Sequence, residues 1–549
     1  MNSNVAVPAP TFLDHAPVAL TFGTSGLRGL VKDMTDLEAY INVKGALRYL
    51  LASGDVRVGG RVVLAGDLRP STDRLMRASA QAIVDSGCPV ENAGKIPTPA
   101  LILQSIATGC AGVMVSGSHI PFDRNGIKIN RSVGEILKTD EAGITREVER
   151  VRAEEYGKTA TTSPFASSGM LKSLPELPPV DAAAEERYVR RYVDACAPGA
   201  LSGMRVLVYE HSAVGRDILG RILRELGAVV VPAGRAETFI PIDTENVTDE
   251  LLDRLEGLAA AGGRPLDAIV STDGDSDRPL VAAVLPEGKR DAAGRSVRFL
   301  PGDLLGIVVA ETLRADAVVV PISANDAVER SMRARGVLLR ATKIGSPYVV
   351  SGIDDLRHEG KHERIVGWEA NGGFLLGSAI PLARGVLSPL PTRDSTLPIV
   401  VNLLAAAEQR VGLSALWDRL PARFGRAGLI DEVPVAVSRA VLAHLVPPGD
   451  ATDATFELDP GAPWQRSKAT LARFFTPANG FDDIVRINVL DGVRVYFANG
   501  DVAHVRPSGN APQLRIYANS DSQARANQIV ELGLREPDGI LRQLEKAFS

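Results

Sequence analysis

Three aspartates, Asp273, Asp275 and Asp277, alternate with small residues in the run DGDSDR, two residues after the apolar stretch Leu266–Val270. Carboxylates this close repel one another unless a cation sits between them. Hard divalent ions take oxygen ligands, and magnesium favours a few carboxylates with water or phosphate completing its shell. An EF-hand loop is excluded, because its sixth position needs glycine and is Arg278 here, and its twelfth needs glutamate and is Val284. The alternative is an acidic surface turn, which the apolar lead-in disfavours.

A second group begins where Val113-Met114-Val115 runs into Ser116-Gly117-Ser118-His119-Ile120-Pro121. Ser118, beside His119 at a strand end, has three readings: a hydrolase nucleophile, a phosphoryl acceptor, or part of a structural turn. The nucleophile-elbow pattern G-x-S-x-G is absent. As a phosphoryl acceptor it would need a divalent ion nearby to neutralise the phosphate oxygens. Lys128, closing NGIK, offers a cation or a proton-transfer group. In RPSGNAPQLRIY, Arg506, Ser508 and the amides around Gly509 and Asn510 put guanidinium, hydroxyl and N–H donors in one turn, a combination that holds phosphate. The alternative is an ordinary Pro-Gly loop. In GWEANGGFLLG, Glu369 and Asn371 stand where an apolar strand meets glycines. Such carboxylate and amide groups bond paired sugar hydroxyls, and glycine lets a ligand approach the backbone.

The elements that must position these residues repeat in rhythm. Strand RVVLAG, helix DRLMRASAQAIVDSG and strand AGVMVS form one round. A polar stretch with proline and serine, residues 159–180, precedes a second: strand MRVLVYE, helix VGRDILGRILRELG, strand AVVVPAG and strand LDAIVSTDGDSD. A third starts near Pro301 with strand DAVVVPIS, helix DAVERSMRARG, strand VLLRATKIG and strand RIVGWEANGG. Alternation of this kind predicts mixed sheets flanked by helices. The last ~120 residues differ: a hairpin on Asn499-Gly500, a third strand QLRIYA and a helical tail over 521–548 indicate an α+β module. The expected fold is three similar mixed α/β domains around a central cleft plus a C-terminal α+β domain. Their spans are 1–165, 181–300, 301–425 and 430–549. In each α/β round the unusual loop follows a strand, and ligands of open α/β sheets bind beyond the carboxyl ends of strands.

Composition sets the outer limits. The 549 residues are 45% hydrophobic and 23% charged, enough for several cores. With 61 basic and 66 acidic residues the net charge is -5, which gives no global attraction to nucleic acid or an anionic membrane. Three scattered cysteines, Cys88, Cys110 and Cys196, suit neither a disulfide framework nor a zinc site. No run approaches the ~18 apolar residues of a membrane span, and the N-terminus lacks a basic leader. A cytoplasmic protein is expected, with no nucleic-acid or membrane partner; oligomeric state is left open.

Taken together, these motifs resemble the α-D-phosphohexomutase superfamily, its phosphomannomutase/phosphoglucomutase branch most of all, over nearly the whole chain. FGTSGLRG, Phe22–Gly29, is similar to that family's opening signature, and the other motifs follow in family order. The resemblance implies that Ser118 is carried as phosphoserine, and that Ser118, Asp273, Asp275 and Asp277 hold Mg2+. It implies His119 and Lys128 as acid/base candidates and Arg28 and Arg278 as holding the phosphoserine region or the substrate. Lys343 and Gly345 in TKIG would orient the sugar, Glu369 and Asn371 would bind its hydroxyls, and Arg506, Ser508, Gly509 and Asn510 would bind the phosphate not being transferred. The chain departs from the family pattern at Ile120, where asparagine is usual, at Asn371 within WEANGG in place of GEMSGH, and at Asn510 in place of threonine. The implied reaction interconverts hexose 1-phosphate and hexose 6-phosphate through a hexose 1,6-bisphosphate, which also serves as activator. Mannose phosphate is the expected substrate, with glucose phosphate second and an aminosugar phosphate third. A metal-dependent sugar phosphatase and a non-catalytic sugar-phosphate sensor are the other classes.

Overall fold

The run AGVMV, Ala111–Val115, is a strand buried along its whole length, as is Val62–Gly66. Neither alternates polar and apolar residues, which marks strands covered on both faces by helices. The computed structural model describes residues 12–18, 20–23, 26–262, 265–291, 293–458, 461–508 and 511–548. In it these two strands pair in parallel, and Val62–Gly66 also pairs in parallel with Val90–Lys95. On the other side Arg124–Arg131 runs antiparallel to Ala111–Val115, setting Lys128 opposite Met114, and Gly26–Leu30 follows antiparallel. Helices Asp36–Ala52, Thr72–Asp85, Thr98–Thr108 and Lys138–Tyr156 complete this mixed layer. The Thr35 hydroxyl caps the first of them by accepting from Glu38 N at 3.2 Å.

A second mixed sheet has the order Val297–Phe299, Pro279–Val284, Ala268–Thr272, Arg205–Tyr209, Val229–Ala233. Ala268–Thr272 is parallel to Arg205–Tyr209 but antiparallel to Pro279–Val284, and Thr272 pairs with Pro279. The six residues between, Asp273–Arg278, therefore form a tight connection at one sheet end. Strands Ile365–Trp368, Phe374–Leu376 and Leu390–Asp394 form an antiparallel group, with Trp368 paired to Phe374 and Phe374 to Asp394. The Trp368 and Phe374 rings stack with centroids 5.6 Å apart.

The chain divides into two compact units, residues 1–318 with 345–417, and residues 319–344 with 418–549. The second holds the helix Asp326–Ala334, the strand Leu338–Thr342 and a six-stranded antiparallel sheet. The order of that sheet is Phe424–Ile430, Leu514–Ser520, Val502–Pro507, Val493–Phe497, Ile484–Asn488, Asp453–Thr455. The expected hairpin turns at Asn499-Gly500, and Gly500 takes φ +84°, a conformation costly for residues with a Cβ. The tail predicted as helical over 521–548 is two helices, Gln523–Leu534 and Ile540–Phe548. Pro537, which has no N–H to donate, sits in the break. Helices Val435–Leu445 and Ala462–Leu471 were not expected. Among the described residues no helix is long and apolar enough to cross a membrane.

Candidate active site

Ser118 lies just past the strand Ala111–Val115, 1% exposed, with φ 57°. A left-handed backbone at a residue with a Cβ costs on the order of 1–3 kcal/mol and persists only where its surroundings impose it. Around Ser118 they do. Arg69 Nη2 donates to Ser118 O at 2.6 Å, while Nη1 donates to Pro121 O at 2.8 Å and Arg124 O at 3.2 Å. Asp67 accepts from Arg69 Nε at 3.0 Å and from the Ser116 hydroxyl at 2.8 Å, and Ser116 Oγ accepts from Ser118 N at 2.8 Å. The Arg69 guanidinium also lies 4.0 Å from the Phe239 ring centre. This network holds the serine loop in one shape.

The Ser118 hydroxyl donates to Asp273 Oδ2 at 2.7 Å, across 155 residues of sequence. Asp273, Asp275 and Asp277 are each 0% exposed, and one oxygen from each lies within 4.8 Å of the others. The loop holds itself together, with Asp277 N and Arg278 N both donating to Asp273 Oδ1 at 3.1 Å. Thr98, at the start of the helix Thr98–Thr108, donates its hydroxyl to Asp275 Oδ2 at 2.6 Å. Lys128 Nζ bridges Asp275 Oδ2 at 2.6 Å and Asp277 Oδ2 at 2.9 Å. Asp275 Oδ1 and Asp277 Oδ1 are buried without hydrogen-bond partners. Two carboxylate oxygens without hydrogen bonds, beside a third carboxylate and a hydroxyl, form the oxygen-rich donor set that a hard divalent cation takes, so the residues fit Mg2+.

The charges are mutually tuned. Burial, reinforced by Asp275 and Asp277, pushes the Asp273 carboxyl well above the usual range. Burial works the same way on Asp275, but Lys128, Thr98 and Arg393 outweigh it and hold this carboxyl well below. Burial alone would discharge Lys128, yet Asp275 and Asp277 keep its pKa above the ordinary lysine value. His119 Nδ1 accepts from Arg278 Nη1 at 2.9 Å. Burial, then Arg278 and Arg28, push the His119 imidazole down to about 2, so the ring is neutral. Arg28, on the strand Gly26–Leu30, is pushed down to about 10 by burial and by Arg278 and Arg393. Burial is the larger cause, but Arg28, Arg278 and Arg393 also act on one another as neighbouring cations, an arrangement that favours an incoming anion.

Glu369 follows the strand Ile365–Trp368 and accepts from Arg393 Nη1 at 3.1 Å. Asn371 is turned back on its own loop: its Oδ1 accepts from Gly373 N at 3.0 Å, and its carbonyl accepts from Thr244 Oγ1 at 2.9 Å. Gly345, at φ +129°, precedes the helix Ser346–Glu359. Arg69, Thr98 and Arg393 are not among the residues that the sequence singles out. Their only local signals are the turn DLRPS, a threonine between prolines at a helix start, and an arginine next to last in the strand Leu390–Asp394.

In the second unit Asp491 organises the remaining candidates. Its Oδ1 accepts from Arg506 Nε at 3.0 Å, its Oδ2 from Ile344 N at 2.9 Å and its carbonyl from His504 Nε2 at 2.6 Å. Lys343 is exposed next to Ile344, and Ser508 is buried just beyond Arg506. Gly509 and Asn510 lie outside the described residues, as do Thr24 and Ser25 of the opening signature.

Comparison with known proteins fits this geometry. Models of the phosphoglucomutase/phosphomannomutase family match domain I over residues 19–155, domain III over 301–424 and the C-terminal domain over 459–532. A phosphomannomutase of Sinorhizobium fredii is 36% identical over 524 residues, 93% of this chain and 98% of its own. One from Salmonella muenchen is 36% identical over 514 residues, 93% of this chain and 94% of its own. A solved phosphoglucomutase/phosphomannomutase family protein from Burkholderia thailandensis shares the fold at TM-score 0.65 and 18% identity, covering 95% of this chain and 97% of that one. The chain belongs to the phosphoglucomutase/phosphomannomutase family of the α-D-phosphohexomutase superfamily and is a mutase, an intramolecular phosphotransferase.

Proposed function

We propose that this mutase interconverts hexose 1-phosphate and hexose 6-phosphate, mannose phosphate first and glucose phosphate second, through a phosphoserine at Ser118 and a hexose 1,6-bisphosphate. The observation that carries the reading is the Ser118 hydroxyl, donating to Asp273 at 2.7 Å inside a buried ring of carboxylates bordered by cations. In the forward step the Ser118 Oγ–P bond breaks as a bond forms from phosphorus to the free hydroxyl of the bound sugar phosphate, and the hydroxyl proton passes to a base. The bisphosphate turns over and returns its other phosphoryl group to Ser118. Asp273, Asp275 and Asp277 would hold Mg2+, which when bound supplies charge neutralisation to the phosphoryl oxygens.

The chain's own groups supply the rest. His119 and Lys128 remain the acid/base candidates. Lys128 is held charged and suits electrostatic or acid duty. His119 is held neutral with a low basicity and an Arg278 hydrogen bond at Nδ1, which makes it the weaker proton acceptor. Arg28 and Arg278 add positive charge for the phosphoryl group in transit. Glu369 would bond a hydroxyl pair shared by both sugar poses. Arg506 and Ser508, with Gly509 and Asn510, would hold the remote phosphate, a function that a simple phosphatase does not need. A coupled assay of mannose, glucose and N-acetylglucosamine 1-phosphates with a bisphosphate activator tests the reading. Mannose and glucose turnover that chelation abolishes and Mg2+ restores is the expected result. Full activity after exhaustive chelation would remove the three aspartates from cation binding, and exclusive use of an aminosugar phosphate would overturn the substrate assignment.

A further inference from the structure

Four consecutive residues, Thr392-Arg393-Asp394-Ser395, each bind a different part of the first unit. Thr392 Oγ1 donates to Glu135 Oε1 at 2.6 Å, and Ser395 Oγ donates to the Ser276 carbonyl at 2.7 Å within the aspartate loop. Asp394 accepts from Tyr188 OH at 2.6 Å and also from Tyr192 OH. With its neighbours pinned on both sides, Arg393 has little freedom of direction. Its Nη2 and Nε donate to Asp277 Oδ2 at 2.8 and 3.2 Å, and its Nη1 donates to Glu369 Oε2 at 3.1 Å. The guanidinium is buried, at 3% exposure. One cation thus joins an aspartate of the carboxylate ring to the glutamate after Trp368, two loops from different sheets.

We infer that Arg393 is a positioning residue that sets cation affinity and sugar affinity against each other. The inference rests on the reading of these loops as the cation and sugar sites. At Asp277 the guanidinium occupies Oδ2 and leaves Oδ1, which has no hydrogen bond and lies 3.7 Å from Arg278 Nε, to a cation, while its own charge repels that cation. At Glu369 the same group fixes Oε2 and leaves Oε1 for a sugar hydroxyl. Asp277 is already bonded by Lys128, so removal of Arg393 leaves a paired but more negative site. The two affinities must therefore move in opposite directions when Arg393 is neutralised. A residue that merely holds the fold together would move both the same way.

The test measures binding without turnover. Mn2+ binding, followed by electron paramagnetic resonance with Mg2+ as competitor, and mannose 1-phosphate binding by calorimetry are compared in the wild type, Arg393→Met and Arg393→Lys. For Arg393→Met, divalent-cation binding should tighten by about tenfold or more, and mannose 1-phosphate binding should weaken by about tenfold. Arg393→Lys keeps the charge but loses the fork, so cation affinity should stay within about twofold of wild type while sugar phosphate weakens. If Arg393→Met does not fold, the lysine variant decides by the same split. Parallel weakening of both ligands, or unchanged cation affinity in a folded Arg393→Met protein, overturns the inference. Absence of Mn2+ binding in the wild type overturns the cation reading and the inference with it, and it is recognised before any variant is made.

Discussion

Gly274 offers a direct test of how tightly the aspartate loop and the serine loop are set against each other. A Cβ built there would lie 2.5 Å from the Ser118 carbonyl oxygen and 2.8 Å from Phe239 Cζ. The first neighbour is backbone, already fixed by Arg69, and cannot rotate away. Reaching even a tight 3.0 Å contact needs a shift of about 0.5 Å, and a relaxed one about 0.9 Å, in an interior packed to crystal density. Overpacking of this kind costs roughly 1–3 kcal/mol of stability. A misplacement near 1 Å at reacting atoms costs about a hundredfold in rate, or ~2.7 kcal/mol of activation free energy. Gly274→Ala should therefore lower kcat by about 30- to 100-fold, with a smaller change in KM, because the methyl group faces Ser118. The coupled mutase assay reads kcat and KM, and thermal unfolding reads the loss of stability. Gly257→Ala is the control, since a Cβ there meets nothing within 4 Å and it lies inside the helix Asp249–Ala261; it should keep full activity. A folded Gly274→Ala enzyme with near wild-type turnover would refute the close contact between the two loops.

Other expectations follow from single contacts. Arg69→Met removes the donors to three carbonyls and leaves the buried Asp67 without its charge partner, so unfolding free energy should fall by about 3–5 kcal/mol; an unchanged denaturation midpoint would contradict it. His504 is held at about 3 by burial and by Arg494, below the ordinary histidine value near 6.5. Its neutral form is favoured by folding, so its stabilisation is complete above about pH 6.5 and is lost as pH falls towards 3, on the order of 3 kcal/mol by pH 4.5. Between pH 7.5 and 4.5, His504→Gln should lose less stability than the wild type in urea melts, and equal losses would show that the group is not responsible. Arg506→Ala should lower kcat/KM by about ten- to a hundredfold through both parameters, with Ser118 phosphorylation retained; unchanged kinetics would remove Arg506 from the remote-phosphate role.

The rounds of strand and helix were legible because buried parallel strands read as short β-branched runs and their helices as periodic ones. The loops after those strands stood out because their residues contradict their surroundings, as Lys128 does between Ile127 and Ile129. That Ser118, Lys128 and three aspartates meet is a consequence of strand order: one sheet places Lys128 beside Ala111–Val115, and the second turns sharply at Asp273–Arg278. Arg69, Thr98 and Arg393 were not legible. Each stands in an unexceptional local context and acquires its role from a partner 49 to 177 residues away. Asn371 shows the converse: its amide suggested a ligand contact, but its oxygen caps the turn to Gly373, a local use that Asn side chains commonly make. The split of the tail was legible in Pro537 and Gly539, which mark a helix break, but the apolar periodicity that continues on either side reads as one helix.

The central claim is that Ser118 carries the phosphoryl group and passes it to a sugar. Enzyme labelled from radiophosphorylated hexose 1,6-bisphosphate, mapped by peptide, then chased with unlabelled mannose 1-phosphate, examines both halves. The label should sit on Ser118, be absent from Ser118→Ala, and move during the chase into hexose bisphosphate and hexose 6-phosphate at the rate of turnover. Label on another residue, or its release as inorganic phosphate at that rate, would contradict the account.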